Sequence, residues 1–119
     1  MKDKPKWETE PYSHLFKHAG LLCFMKRHPE LGHWCGYVAT PTELDNPESN
    51  MDVHGGATFY EFDKDLEEWV VGFDCAHLGD LIPKIQDTFS RREGNGDVYR
   101  DKEYVIEQTK KLAEQVASR

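Results

Sequence analysis

Four segments of the chain carry apolar residues in runs of strand length. Residues 20–27 and 33–40 are largely apolar, and the turn between them contains a proline and a glycine. Residues 57–62 alternate between the two faces of a strand, and residues 68–73 are apolar again after an acidic turn. The pattern predicts four β-strands arranged as two hairpins.

A helical period replaces the strand pattern in residues 100–118. Val105, Leu112 and Val116 fall on one stripe, with acidic residues in the first turn and lysines toward the C-terminal half, as the helix dipole favours. Residues 12–17 are interpreted as a short helical turn. These elements predict an α+β fold: a mainly antiparallel sheet of about four strands, in meander order, with the C-terminal helix packed on one face.

The segments between these elements indicate the domain organisation. A chain of 119 residues fits a single domain, 1–119, and its polar residues 1–11 predict a loose N-terminal arm. Residues 41–52 are a long polar stretch, which indicates either a functional lid or a disordered connection. Residues 90–96 predict a charged, glycine-rich loop.

Composition narrows the classes of protein to consider. Aromatic residues make up 12% of the chain, which argues against disorder, and a formal net charge of −7 argues against a nucleic-acid partner. Three cysteines without a Cys-x-x-Cys pair indicate a reducing compartment and no structural zinc site. The charged N-terminus and the lack of a long apolar run predict a cytoplasmic protein with no signal peptide and no membrane segment.

Two short segments of chemically capable residues flank the second hairpin. Residues 53–56 precede its first strand and residues 74–80 follow its second, so antiparallel pairing puts both segments at one end. If strand two pairs with strand three, Gly20, Thr40 and the polar stretch 41–52 share that end. We call this predicted surface the rim. Its candidate ligand-binding residues are His54, Gly55, Gly56, Asp74, Cys75, His77 and Asp80.

Metal-assisted hydrolysis is one chemistry open to the rim. Histidine nitrogens and carboxylate oxygens suit Zn²⁺, Mn²⁺ or Fe²⁺, and an open coordination position can activate water. The spacing Asp74-x-x-His77 permits ligation, but it also occurs in structural loops where an aspartate caps a turn. A divalent metal is therefore the candidate cofactor, with His54, Asp74, His77 and Asp80 as its candidate ligands.

Thiol chemistry and binding without turnover are the other possibilities. Cys75 can act as a nucleophile with His54 or His77 as base, although a lone cysteine after an apolar strand is commonly a small buried residue. Binding suits a polar, nucleotide-like ligand, because backbone N–H groups near Gly55 and Gly56 can hold phosphate while aromatic rings stack on a base. The same glycines can form a β-bulge, and the aromatic residues can belong to the core. These aromatic residues are Tyr37, Phe59, Trp69 and Phe73.

Several segments resemble those of a known family. They include Val53-His54-Gly55-Gly56-Ala57-Thr58-Phe59, Gly72-Phe73-Asp74-Cys75-Ala76-His77-Leu78-Gly79-Asp80 and Tyr99-Arg100-Asp101-Lys102-Glu103-Tyr104-Val105. Over residues 20–117 the chain is similar to a family of small uncharacterised proteins of bacteriophages, prophages and bacteria. The resemblance implies a phage-like setting in the host cytoplasm and supplies no mechanism.

The function predicted from these residues is that of a phage-type accessory binding protein. Its rim is expected to hold either a small polar, nucleotide-like ligand or a host protein, and so to counteract a host pathway. A metal-dependent hydrolase using the same rim is the first alternative. An acidic interaction protein with no small-molecule site is the second.

Overall fold

Five antiparallel strands form one sheet in the order β1-β2-β3-β5-β4. The computed structural model describes residues 4–84 and 97–119, and the predicted loop 90–96 lies outside them. The strands are β1 (Ser13–His18), β2 (Leu21–Arg27), β3 (Trp34–Thr40), β4 (Phe59–Asp63) and β5 (Glu68–Asp74). The helices are α1 (Pro47–Asn50) and α2 (Lys102–Ala117), and one turn of 3-10 helix covers Lys6–Glu8.

Helix α2 packs on one face of the sheet, chiefly against β2 and β3. Its buried stripe includes Val105 and Leu112, both fully buried, which contact a core that contains Trp34 and Phe73. Gly36 allows the helix to approach closely, because a Cβ there would collide with the side chains of α2 and β5. The predicted α+β fold with a C-terminal helix on one face of the sheet is confirmed.

The first strand was missed in the sequence. Residues 12–17, interpreted as a helical turn, contain most of β1, and the sheet has five strands where about four were predicted. Leu15 is 67% exposed and the strand is only half-buried on its other face, so its apolar pattern is weak. An edge strand of this kind gives little hydrophobic periodicity to detect.

The predicted meander order is wrong, because β5 lies between β3 and β4. Val71 and Phe73 of β5 are 0% and 1% exposed, and so apolar a strand is most stable at the centre of the sheet. Glu61 of β4 is exposed, which suits an edge. In the observed register Cys35 pairs with Asp74, so the end of β5 meets the start of β3.

This register moves the rim to the other end of the first hairpin. The rim shares its end of the sheet with the turn between β2 and β3, and not with Gly20 and Thr40 as predicted. The connection from β3 to β4 therefore returns along the length of the sheet. Leu44 and Met51 of this connection are buried in the core, and the backbone N–H of Leu44 donates to the Tyr60 hydroxyl at 2.7 Å. It is a packed connection rather than a lid or a disordered loop.

Residues 4–11, the described part of the predicted loose arm, contact the rest of the fold. The ring of Trp7 meets that of Tyr99 edge-on, with centroids 5.3 Å apart. The Glu10 carboxylate accepts hydrogen bonds from Trp34 Nε1 at 2.9 Å and from the Tyr99 hydroxyl at 2.6 Å. These bonds fasten this part of the arm to the core.

No helix within residues 4–84 and 97–119 is both long enough and apolar enough to cross a membrane. The longest described helix, α2, has 16 residues and an amphipathic pattern rather than a uniformly apolar one.

Candidate functional site

The two predicted rim segments meet at one end of the β4–β5 hairpin. The backbone N–H of Thr58 donates to Gly72 O at 2.9 Å, which extends the pairing beyond β4 toward the rim. The rings of His54 and His77 lie with their centroids 6.0 Å apart. The hairpin thus brings together residues that are more than twenty positions apart in the chain.

Asp80 is the centre of the rim. Its side chain is 1% exposed and accepts from His54 Nε2 at 2.9 Å, Arg100 Nε at 2.8 Å and the backbone N–H of His77 at 3.0 Å. These bonds tie together the segment before β4, the loop after β5 and the segment before α2. Arg100 was not recognised in the sequence, because nothing local indicates that it approaches Asp80.

The charge of Asp80 is stabilised by these donors. Burial acts to raise the pKa of Asp80, but hydrogen bonds from Arg100, His54 and the His77 backbone outweigh it, and the pKa is lowered from its ordinary value. The same contact raises the pKa of Arg100. The rim therefore contains a buried ion pair that persists at neutral pH.

Both ring nitrogens of His54 are engaged. Nε2 faces the Asp80 carboxylate, and Nδ1 lies 2.8 Å from the Tyr104 hydroxyl. Since an ionised carboxylate can only accept, Nε2 donates to Asp80, and Nδ1 is paired with the Tyr104 hydroxyl. The backbone N–H of His54 also donates to Gln108 Oε1 at 2.9 Å, which anchors the segment to α2.

His77 is placed differently, at the solvent-facing side of the rim. Its side chain is 34% exposed. Nε2 lies 2.7 Å from Asp74 Oδ1, which is close enough for an ion pair, but neither atom makes a hydrogen bond within the described part of the chain. The ring occupies the space beside Gly55, where a Cβ would collide with it. Gly56 has no heavy atom within 4 Å of the position a Cβ would take.

The two glycines offer a matched test of this packing. Gly55 and Gly56 have φ values of +68° and +81°, so alanine at either should cost about 1 kcal/mol in backbone strain. We expect Gly55→Ala to lower the free energy of unfolding by about 1 kcal/mol more than Gly56→Ala, because it also displaces the His77 ring. Urea unfolding and the NMR signals of the His77 imidazole measure the two effects. Equal losses and an unmoved imidazole would contradict the assigned contact.

The predicted metal set does not converge. In the part of the chain that the structure describes, the group whose ligand atoms all approach within 4.8 Å is Glu10, Asp101 and Glu103, and not the four rim residues. There the ammonium of Lys6 lies 3.1 Å from Asp101 and 3.2 Å from Glu103, so the lysine balances the negative charge of these two carboxylates. At the rim the candidate ligands are instead divided into two pairs, His54 with Asp80 and His77 with Asp74.

The side chain of Cys75 is buried and does not reach the surface of the rim. It is 1% exposed, and burial, followed by the nearby charge of Asp80, raises the pKa of its thiol. A thiol held protonated in the core is a poor nucleophile. The thiol chemistry predicted for Cys75 therefore has no support in this geometry, and its small, buried side chain belongs to the core cluster.

The aromatic residues considered for ligand stacking are also placed elsewhere. Phe73 is 1% exposed and belongs to the core. Tyr37 of β3 and Phe59 of β4 both pair with Gly72 of the strand between them. Because Gly72 has no side chain, the two rings contact each other edge-on, with centroids 5.5 Å apart. Trp69 stacks with Tyr60 near the opposite end of the hairpin.

His33 is a buried neighbour of the rim that lies outside the predicted set of site residues. It is 4% exposed and stacks on His28, with ring centroids 5.1 Å apart. Burial lowers the pKa of His33, while the charges of Asp74 and Asp80 act in the opposite direction.

Comparison with known proteins leaves the site to be interpreted from its own residues. No family model matches the chain, and no curated protein or solved structure is similar to it. The role of the rim must therefore be inferred from the fold and from its own hydrogen bonds.

Proposed function

We propose that this protein is an accessory binding protein whose rim docks onto a protein partner. The observation that carries the proposal is Leu78, a fully exposed leucine at the tip of the loop that Asp80 holds. Burial of this leucine in a partner's pocket would remove its whole side chain from water, which is worth about 1.5–3 kcal/mol.

The loop that carries Leu78 is fastened on both sides. The backbone N–H of Asp80 donates to His77 O at 2.9 Å, and that of Val98 donates to Gly79 O at 2.8 Å. The Asp80 side chain accepts in turn from the backbone of His77. A loop already held in one conformation loses less entropy on binding, so this bonding favours recognition by a preformed surface.

Several of the groups that a small polar ligand would use are already bonded within the protein. The backbone N–H of Gly56 donates to Val53 O at 2.8 Å, and both ring nitrogens of His54 have partners. The Asp80 carboxylate accepts from three donors. What remains at the surface is Leu78 with the half-exposed pair His77 and Asp74, an apolar anchor beside a polar margin, which is the composition of a protein interface.

The expected phage-like setting and the net charge limit the class of protein partner that we propose. From the resemblance to phage and prophage proteins expected from the sequence, we propose that the partner is a protein of the bacterial host and that binding counteracts the pathway in which it acts. A net charge of −7 disfavours acidic partners and speeds encounter with a basic surface. The proposed function is thus host-directed protein binding without chemistry at the rim.

Substitution of the anchor tests this function. Leu78→Ala should reduce capture of the partner from host lysate at least about tenfold, because burial of a leucine side chain contributes about 1.5–3 kcal/mol and tenfold corresponds to about 1.4 kcal/mol. Leu66→Ala is the matched control, since Leu66 is also exposed but lies in the turn at the far end of the hairpin. A photocrosslinking residue at either position should give a discrete product at 78 only, competed by unlabelled wild-type protein.

Two results would overturn the proposal. One is capture by Leu78→Ala that equals capture by the wild type and the Leu66→Ala control. The other is a rise in melting temperature with a nucleotide that is lost when Arg100 is replaced by Gln, which would assign the rim to a small ligand instead.

A further inference from the structure

The face of the sheet opposite α2, here called the open face, carries exposed side chains around a centre in which Ala39 and Val70 are buried. Leu15 is 67% exposed on it, and Phe24 stacks on Tyr37 with centroids 5.0 Å apart. Helix α2 lies on the other face, as Thr109 beside Gly36 shows. The open face therefore presents apolar and aromatic groups that no described helix covers.

The registers of the four strand pairs arrange this face in cross-strand rows. Directly paired residues in an antiparallel sheet project to the same side, so each row can be read across all the strands. The first row is Ser13, Lys26, Cys35 and Asp74; the second is Leu15, Phe24, Tyr37, Gly72 and Phe59; the third is Lys17, Leu22, Ala39, Val70 and Glu61.

These rows are complementary to themselves. Strand β3 is central, so a twofold axis parallel to it, above the open face, would place β1 over β4 and β2 over β5 of a second copy. The third row then sets Lys17 opposite Glu61, and the first sets Lys26 opposite Asp74. Both ion pairs occur twice in the pair of copies because the operation is symmetric.

The middle row supplies the apolar contact. Leu15 would face Phe59, and Phe24 would face Gly72, which has no side chain of its own. The Tyr37 ring already leans over Gly72, since a Cβ there would fall 2.8 Å from Tyr37 Cε1. The ring of Phe24 from the other copy would then meet the Tyr37 ring that covers Gly72.

We propose that the open face binds a second copy of this chain about this twofold axis. The charges on the face select that occupant: lysines lie on the β1–β2 side, and carboxylates lie on the β5–β4 side. A basic partner would meet Lys17 and Lys26, and an acidic one would meet Glu61 and Asp74. The same chain, rotated, matches both halves.

The size of the face sets the strength of the dimer. Five strands at a spacing of about 4.8 Å and six residues at about 3.3 Å each span about 24 Å by 20 Å. The resulting area, about 480 Å² per copy, is below the roughly 800 Å² per partner of standard interfaces. The dimer is therefore weak and depends on protein concentration.

The dimer would extend the proposed function without depending on it. Rotation about an axis parallel to the strands keeps their direction, so both rims lie at the same end of the dimer. Two Leu78 loops facing one way could engage two partner sites, and the second contact would gain from a high effective concentration. Loss of the dimer would leave binding through one rim intact, so the two proposals fail separately.

Reciprocal charge reversal tests the axis. Lys17→Glu alone and Glu61→Lys alone each put like charges opposite one another twice, so each should weaken self-association at least about tenfold in sedimentation velocity. An equimolar mixture of the two variants should associate, because each then meets an opposite charge at both positions. Lys17 and Glu61 are exposed on edge strands, and circular dichroism checks that both variants fold.

Glu107→Lys is the control for net charge, since Glu107 is exposed on α2 and makes the same change as Glu61→Lys away from the open face. It should leave self-association unchanged. A wild-type protein that stays monomeric at about 1 mM would overturn the proposal. Failure of the mixed variants to associate would overturn it as well.

Discussion

Replacing Asp80 with asparagine is expected to lower the free energy of unfolding by about 3 kcal/mol. The substitution keeps the shape of the side chain but removes the charge that balances Arg100, which is three-quarters buried. The new amide group would also point a donor at a site already filled by donors from His54, Arg100 and the His77 backbone. Breaking a buried ion pair by neutralising one member is costly because the other charge stays desolvated.

Urea unfolding of the wild type and of Asp80→Asn measures this loss. Asp65→Asn is the control, since Asp65 lies exposed in the β4–β5 turn and its replacement should change stability by less than about 0.5 kcal/mol. Asp80→Asn that is as stable as the control would show that the rim network contributes nothing to folding.

The pH dependence has a defined sign. The pKa of Asp80 is lowered in the folded protein from an ordinary value of 3.8, so its stabilising contribution is present above about pH 4 and is lost as the pH falls through the folded pKa. Asp80→Asn lacks this contribution at every pH. The stability difference between the two proteins should therefore be constant near neutral pH and shrink on acidification below about pH 4.

The periodic elements of this fold could be predicted because their apolar patterns are local. The helix stripe of Val105, Leu112 and Val116 and the run of β5 both identify buried surfaces without reference to the rest of the chain. Strand order is a different matter, because it depends on which strand is most buried in the assembled sheet. The apolar run of β5 indicates a central position in the sheet. The predicted meander rests instead on the tendency of strands that follow each other in the chain to pair.

The candidate site could be predicted only where it depends on the pairing of neighbouring strands. Antiparallel pairing of one hairpin brought His54 near Asp80, and this needed only a turn near Asp65. Arg100 and Tyr104 reach the rim through the docking of α2, a contact between distant segments that no local pattern encodes. His54 and Asp80, predicted as metal ligands, are buried in the fold as partners of each other.

Glu10 shows how far such distant contacts can matter, in a segment predicted to be loose. Its carboxylate accepts from the indole N–H of fully buried Trp34, from the Tyr99 hydroxyl and, at 2.9 Å, from the backbone N–H of Lys102. The last bond satisfies one of the unpaired donors at the start of α2 and places a negative charge where the helix dipole favours it. One side chain thus links the arm, the sheet and the helix.

Glu10→Ala should lower the free energy of unfolding by about 3 kcal/mol, because it leaves the Trp34 indole and the Tyr99 hydroxyl without their acceptor. Glu10→Gln, which retains an acceptor oxygen, should lose roughly half as much. Glu8→Ala is the control, since Glu8 is an exposed acid in the same segment and should change stability by less than about 0.5 kcal/mol. Urea unfolding followed by tryptophan fluorescence reports both stability and the surroundings of Trp34. If Glu10→Ala unfolds like Glu8→Ala, the arm is loose as the sequence suggested, and the helix N-terminus does not need it.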